Sequence, residues 1–206
     1  ESEYIVKKIL EIQRLENRSL SDFACLYRTN AQSRSLEQSF VQHNVPYQMV
    51  GGFKFYDRAE IKDLMAYLKF LYNPNDEASF QRIINTPKRS VGKTTVGKIL
   101  DAYHAIADTD PEASLAHILV DPERYGLKIT GKAKQGVADF MNQMANLRDN
   151  MVKEGYNVSK LVVDLLKETN YTKIFEQDET FEDRMANIEE LFSVTQKFDD
   201  REPMQG

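Results

Sequence analysis

"NTPKRSVGKTTVGKIL", residues 85–100, decides the fold class. Its Gly92-Lys93-Thr94 resembles the end of a nucleotide-binding phosphate loop, which raises the question of whether ATP binds there. Such a loop needs a first glycine five residues ahead of the second, so that backbone N–H groups curl around the phosphates. That position is Pro87, which offers no N–H and has a fixed φ. The lead-in, 81–86, is too polar for the buried strand that should precede the loop. The stretch therefore reads as a turn that opens a helix, inside a mainly helical chain.

The same turn recurs. "VGKTTVGK" (91–98) and "TGKAKQGV" (130–137) share Gly-Lys-x-x-x-Gly, and in each the first glycine follows a short turn and opens a helix. The first turn of a helix exposes unpaired N–H groups and a partial positive charge. Glycine lets a phosphate approach that backbone closely, and lysine adds a point charge. Two such starts on neighbouring helices suit the backbone of duplex DNA without reading its bases, as in a helix-hairpin-helix. Gly-Lys at a helix start is also common, so the pattern alone leaves an ordinary basic surface open.

Charge is segregated along the chain. The net charge is −5, with 41% hydrophobic and 29% charged residues over 206 positions, ordinary for a chain that buries a real core. Segment 81–100 nevertheless carries Arg82, Lys88, Arg89, Lys93 and Lys98 with no acid, and 126–138 carries Lys128, Lys132 and Lys134 with none. Segment 176–202 reverses the balance; it reads as a solvated helix face or a regulatory surface. Two local anion sites fit this pattern better than a uniformly basic binder. Cys25 is the single cysteine and His43, His104 and His117 are scattered, so neither a disulfide framework nor a zinc site is expected. Cys25 reads as a buried core residue, and no signal or membrane-spanning run is evident. A reduced, cytoplasmic setting without a membrane is the expectation.

Hydrophobic periodicity predicts a short α/β part and then a helical part. Ile5, Ile9, Ile12 and Leu15 share one helical face in 2–16. An apolar run at 23–27, a helix over 33–43 and an extended stretch at 46–50 suggest a βαβ unit with parallel strands. Ile61, Leu64, Met65, Leu68 and Leu71 give a strong amphipathic helix stopped by Asn73-Pro74. Helices are then expected over 77–86, 94–107, 112–120, 131–153, 158–169 and 181–198, with the methionines of 141–151 as core.

"DFACLYRTNAQSRSLEQSFVQHNVPYQMVGGFKFYDRAEIKDLMAYLKFLYNPND" (22–76) closely resembles the UvrD/PcrA family of superfamily 1 DNA helicases, and the likeness continues through "FQRIINTPKRSVGKTTV" (80–96) and "RMANIEELFSVTQKF" (184–198). The resemblance implies residues 1–57 as part of the second RecA-like motor domain. It implies 58–206 as most of the inserted helical, duplex-contacting and regulatory domain, truncated at its C-terminal end. It implies duplex contacts at Arg89, Val91, Gly92, Lys93, Thr94 and Thr95, to which the repeat adds Gly131, Lys132 and Lys134. It places Arg28, Asn30 and Arg34 at the single strand's phosphates, with Phe53 or Phe55 stacked on a base. The two phenylalanines are equally open to core packing.

The parent implied is an ATP-dependent 3′→5′ helicase acting at duplex–single-strand junctions in repair or replication. ATP and Mg²⁺ would act in that parent. No cofactor, metal or catalytic residue is expected in these 206 residues, which carry no Walker A loop, and the piece alone is expected to be inactive. The implied partners are sequence-independent DNA, the remainder of the helicase chain, and repair or replication proteins. The alternative function is a non-catalytic, autoinhibitory protein-interaction module.

Overall fold

The computed structural model describes residues 1–107, 110, 113–154 and 157–201. Among these residues the regular structure is helical: α1 (Ser2–Glu16), α2 (Ser33–Gln42), α3 (Ala59–Tyr72), α4 (Glu77–Ile83), α5 (Lys93–Ala107), α6 (Leu115–Val120), α7 (Gly131–Glu154), α8 (Val158–Thr169) and α9 (Phe181–Arg201). Two compact units are formed: a first of Glu1–Ile61 with Glu179–Glu190, and a second of Lys62–Asp178 with Leu191–Gly206. No described helix is long and apolar enough to cross a membrane.

In the first unit α1 packs on α2, with Val6 and Ile9 of α1 buried and a 2.7 Å hydrogen bond between the Ser2 and Ser35 hydroxyls. The expected parallel strands are not formed among the described residues. Segment 23–29 does alternate, with Phe23, Cys25, Tyr27 and Thr29 half-buried and Ala24, Leu26 and Arg28 exposed; 45–50 alternates likewise from the buried Val45. That is the side-chain period of a strand. Extended backbone becomes a strand only when another segment takes up its N–H and C=O groups, and no ladder does so here. Leu26 and Val50 are left 96% and 86% exposed. Cys25 is half-buried rather than in the core, and that burial raises its thiol pKa.

The second unit is a helical assembly around a continuous apolar core. Phe70 of α3, Phe80 of α4 and Phe140 of α7 meet with ring centroids 5.5–6.3 Å apart, a spacing typical of favourable tilted aromatic pairs. Leu64, Ile83, Ile99, Leu115, Ile118, Leu147 and Leu165 are fully buried around them. Local capping sets the helix starts. The Asp76 carboxylate accepts from Ser79 N at 3.0 Å and Asn157 Oδ1 accepts from Lys160 N at 2.9 Å, each satisfying an otherwise orphaned donor. Asp199 adds a tertiary cap, accepting from Val158 N and Ser159 N at 2.9 Å each. Residue 112, where the α6 helix was expected to begin, lies outside the described residues; the observed helix starts at Leu115.

Candidate functional site

The turn between α4 and α5 carries the first Gly-Lys start, and its lead-in is helix α4 rather than a strand. Asn85 organises it: its Oδ1 accepts from Arg89 N at 2.7 Å and from Val91 N at 3.3 Å. Ser90 takes a left-handed φ of 59°, an uncommon conformation for a residue with a side chain. Val91 is 2% exposed and belongs to the core. The sequence-based assignment of Val91 as a DNA contact is therefore corrected: its side chain faces inward and its N–H is already used. Gly92, Lys93 and Thr94 are exposed and Thr95 is half-buried.

Arg89 is the second correction. Its Nη1 donates to the carbonyls of Ile83, Ile84 and Pro87 at 3.1, 3.3 and 3.1 Å. Its Nη2 donates to Tyr67 Oη at 2.9 Å and to Gln143 Oε1 at 2.8 Å. The guanidinium also lies 5.4 Å from the Phe140 ring centroid, within cation–π range. A guanidinium has five N–H donors in a fixed fork, and the four on its terminal nitrogens are committed within the protein. Arg89 caps the C-terminal carbonyls of α4 and ties the turn to α3 and α7; it is not a free phosphate ligand. Tyr67 in turn donates to Thr86 O at 2.5 Å. Burial raises the Tyr67 pKa, and Arg89 opposes that rise.

The contact between turn and helix α7 is closest at Gly136. A Cβ built there would sit 1.9 Å from the Arg89 carbonyl oxygen and 2.9 Å from its carbon. Only a glycine fits. Gly136, Phe140 and Gln143 are spaced i, i+4, i+7 and so share one stripe of α7. That stripe receives the carbonyl, the guanidinium face and the guanidinium edge of the same arginine. Gly97, the matching glycine of the other repeat, has nothing within 4 Å of a built Cβ. Sequence reading missed Gly136, although the second glycine of the repeat was its visible signal.

The second start, Gly131-Lys132, opens α7 about 7.5 Å along the helix from Gly136, at 1.5 Å per residue. Gly131 has φ 62°, which glycine adopts without strain, and it faces open space. Lys132 is exposed. Lys134 pairs with Glu123 at 2.9 Å, and that pairing lowers the Glu123 pKa. Lys93 and Lys132 have no hydrogen-bond or ion-pair partner among the described residues.

In the first unit, two more assignments change. Arg34 is 8% exposed; its Nε donates to the Glu190 carboxylate and its Nη1 to Gln38 Oε1 at 3.0 Å. Phe55 is fully buried, so it is core and cannot stack on a base. Its N–H donates to Glu37 Oε1 at 3.1 Å, and Glu37 also accepts from Ser33 Oγ at 2.7 Å. Arg58 donates to that Ser33 Oγ at 2.7 Å and to Asn187 Oδ1 at 2.6 Å, while Asn187 Nδ2 donates to Glu60 at 2.6 Å. Burial works against the Arg58 charge, and Glu37 and Glu60 offset it. This buried chain fixes α2, the turn before α3 and the first part of α9. Arg28, Asn30 and Phe53 remain exposed, and a Cβ at Gly52 would lie 3.9 Å from Asn30 Oδ1, which puts Asn30 beside the Gly51-Gly52 turn. Among the described residues no cluster of three or more His, Cys, Asp or Glu is placed to hold a metal.

The whole chain, residues 1–206, matches the family described as UvrD-like helicase C-terminal domain. A protein named ATP-dependent DNA helicase PcrA from Staphylococcus epidermidis is 38% identical over 100% of this chain and 27% of its own length. Proteins of the same name are 37% identical in Leuconostoc citreum, over 98% of this chain and 26% of theirs, and in Staphylococcus aureus, over 100% and 27%. The chain thus spans about a quarter of the length of these relatives. With the match running from the first residue to the last, and identity above a third throughout it, the chain belongs to the UvrD-like helicase C-terminal domain family.

Proposed function

We propose that this chain is part of an ATP-dependent DNA helicase, and that its second unit grips the sugar–phosphate backbone of duplex DNA at the two Gly-Lys helix starts. The supporting observation is the pair of exposed starts, Gly92-Lys93 and Gly131-Lys132, each with an uncommitted lysine beside a glycine that leaves the backbone open. N–H groups and point charges carry no base information, so binding is sequence-independent. Arg89 and Val91 shape the grip from inside, Thr94 and Thr95 line the first turn of α5, and Lys134 acts only when it leaves Glu123. Any single-strand contact from the first unit falls to Arg28, Asn30 and Phe53. ATP and Mg²⁺ belong to the parent helicase, whose place in repair or replication follows from the family likeness.

The test is a titration with fork DNA at several salt concentrations. With the Arg89 guanidinium committed inside the protein, two lysines neutralise two phosphates, so log K against log salt should slope at about −2. Affinity should sit at about 10⁻⁴ to 10⁻⁶ M near physiological salt, as for non-specific binding. Lys93→Ala with Lys132→Ala should remove nearly all of that slope. Gly92→Val should weaken binding with every charge kept. If the double lysine variant binds as the wild type does, the grip lies elsewhere and the interaction-module reading takes its place.

A further inference from the structure

We propose that Arg89 and Gly136 form a positioning device for the Gly92-Lys93 helix start, docking the turn on α7 so that the Lys93 amine and the first N–H groups of α5 are presented together to a phosphate backbone. The inference rests on the duplex-binding reading above.

Three observations carry it. First, the acceptors of the Arg89 guanidinium are confined to the turn's own lead-in, to Tyr67 (which itself holds Thr86), and to α7. The arginine thus joins the turn to the helix that carries the other start. Second, Lys88, Ser90, Gly92, Lys93 and Thr94 are all exposed, so within 88–94 it is Val91 and Arg89 whose side chains turn inward, while Asn85 holds their N–H groups. Third, the Arg89 backbone enters the space where Gly136 lacks a Cβ, while the guanidinium is received four and seven residues further along the same stripe, by Phe140 and Gln143. Backbone and side chain of one residue are held by one helix face, which fixes both place and orientation. A lysine at position 89 would keep the charge but has no planar fork to reach these acceptors together.

The experiment uses the 206-residue chain, a short mixed-sequence duplex and fluorescence anisotropy at 0.1 M salt, with Arg89→Lys, Lys93→Ala and the double variant. Lys93→Ala should weaken binding about eightfold, the counterion-release factor for one phosphate at 0.1 M relative to 1 M salt. Arg89→Lys should weaken it by up to the same factor although the charge is retained, and should cost clearly less in the Lys93→Ala background, where only the N–H groups are left to be misplaced. A loss of equal size in both backgrounds would mean that Arg89 serves only the fold. A silent Arg89→Lys, with Arg89→Ala lowering the salt slope by about one, would mean a direct phosphate contact; either result overturns the proposal. If Lys93→Ala itself is silent, the duplex reading has failed, and amide exchange decides the positioning separately. Exchange at 96–98, the first hydrogen-bonded amides of α5 (Val96 N–H donates to Gly92 O), should accelerate in Arg89→Lys while 161–165 of α8 stays unchanged, and unchanged exchange at 96–98 would refute the device.

Discussion

Replacing Gly97 and Gly136 by alanine, one at a time, should move stability in opposite directions although both glycines lie inside helices and in matching places of the repeat. Gly97 has nothing within 4 Å of a built Cβ, so Gly97→Ala keeps its surroundings and lowers the unfolded chain's entropy, a gain of about 0.4–1 kcal/mol. At Gly136 the same Cβ would lie 1.9 Å from the Arg89 carbonyl oxygen, where ordinary contact begins near 3.4 Å. The turn must therefore back away by about 1.5 Å, on ordinary contact distances. Overpacking of this kind costs about 1–3 kcal/mol. The displacement also stretches the Arg89 bonds of 2.8–3.3 Å beyond useful range, and losing two of them costs about 1–3 kcal/mol. Set against the entropic gain, the net is a loss of roughly 1–6 kcal/mol. At about 2–4 °C per kcal/mol for a chain of this size, Gly136→Ala should melt at least about 2 °C lower, and more than about 10 °C lower at the middle of that range, and Gly97→Ala about 1–4 °C higher. Urea and thermal unfolding followed by circular dichroism measure both. If Gly136→Ala matches Gly97→Ala, the turn does not dock on α7 as described, and the positioning argument goes with it.

Other outcomes follow from the same contacts. Asn187→Ala removes a partner from the buried Arg58 and from the buried Glu60 together, and should cost roughly 1–3 kcal/mol per orphaned group, read as a lower urea midpoint. Amides at 24–27 and 47–49, which no ladder protects, should exchange faster than those at 64–71 inside α3; equal protection would show that these segments have found partners. Asp76 has its pKa lowered, chiefly by the Ser79 N–H it accepts from. A depressed carboxylate pKa contributes stability above the unfolded value of about 3.9 and loses it as pH falls through the folded value. The advantage of wild type over Asp76→Asn should therefore shrink as thermal melts move from pH 6 to pH 3; a constant difference would mean the cap is not carried by charge.

Periodicity made most of the helices legible. The apolar spacing from Ile61 to Leu71 and the Asn73-Pro74 stop matched α3, Ala59–Tyr72, and the segments read at 131–153 and 158–169 matched α7 and α8. The extended segments were legible as conformation but not as strands. Alternation at 23–29 reports how a segment is half-buried, whereas a strand is defined by whatever pairs with its edge. The site was legible in type and less so in role. Arg34, Phe55 and Arg89 have the residue types of nucleic-acid contacts, and the structure turns all three inward. What turns Arg89 inward is largely backbone carbonyl, at Ile83, Ile84 and Pro87, and carbonyls are the one kind of partner that every sequence offers everywhere.

The repeat shows why matching letters need not mean matching work. Both copies open a helix with Gly-Lys, because a helix start with a bare backbone and a nearby charge is a local feature that six residues specify fully. The closing glycine is different. At Gly97 it meets open space and at Gly136 it meets Arg89, a residue that precedes the first copy and approaches the second. The second copy's last glycine thus seats the turn that leads into the first copy, and its first glycine starts the helix on which that turn rests. A pair that the sequence presents as two equivalent helix starts is, in the fold, one start whose turn is seated on the helix of the other. Loss of Gly136, on another helix, should therefore disturb Lys93 more than loss of Gly97 does from four positions along its own helix.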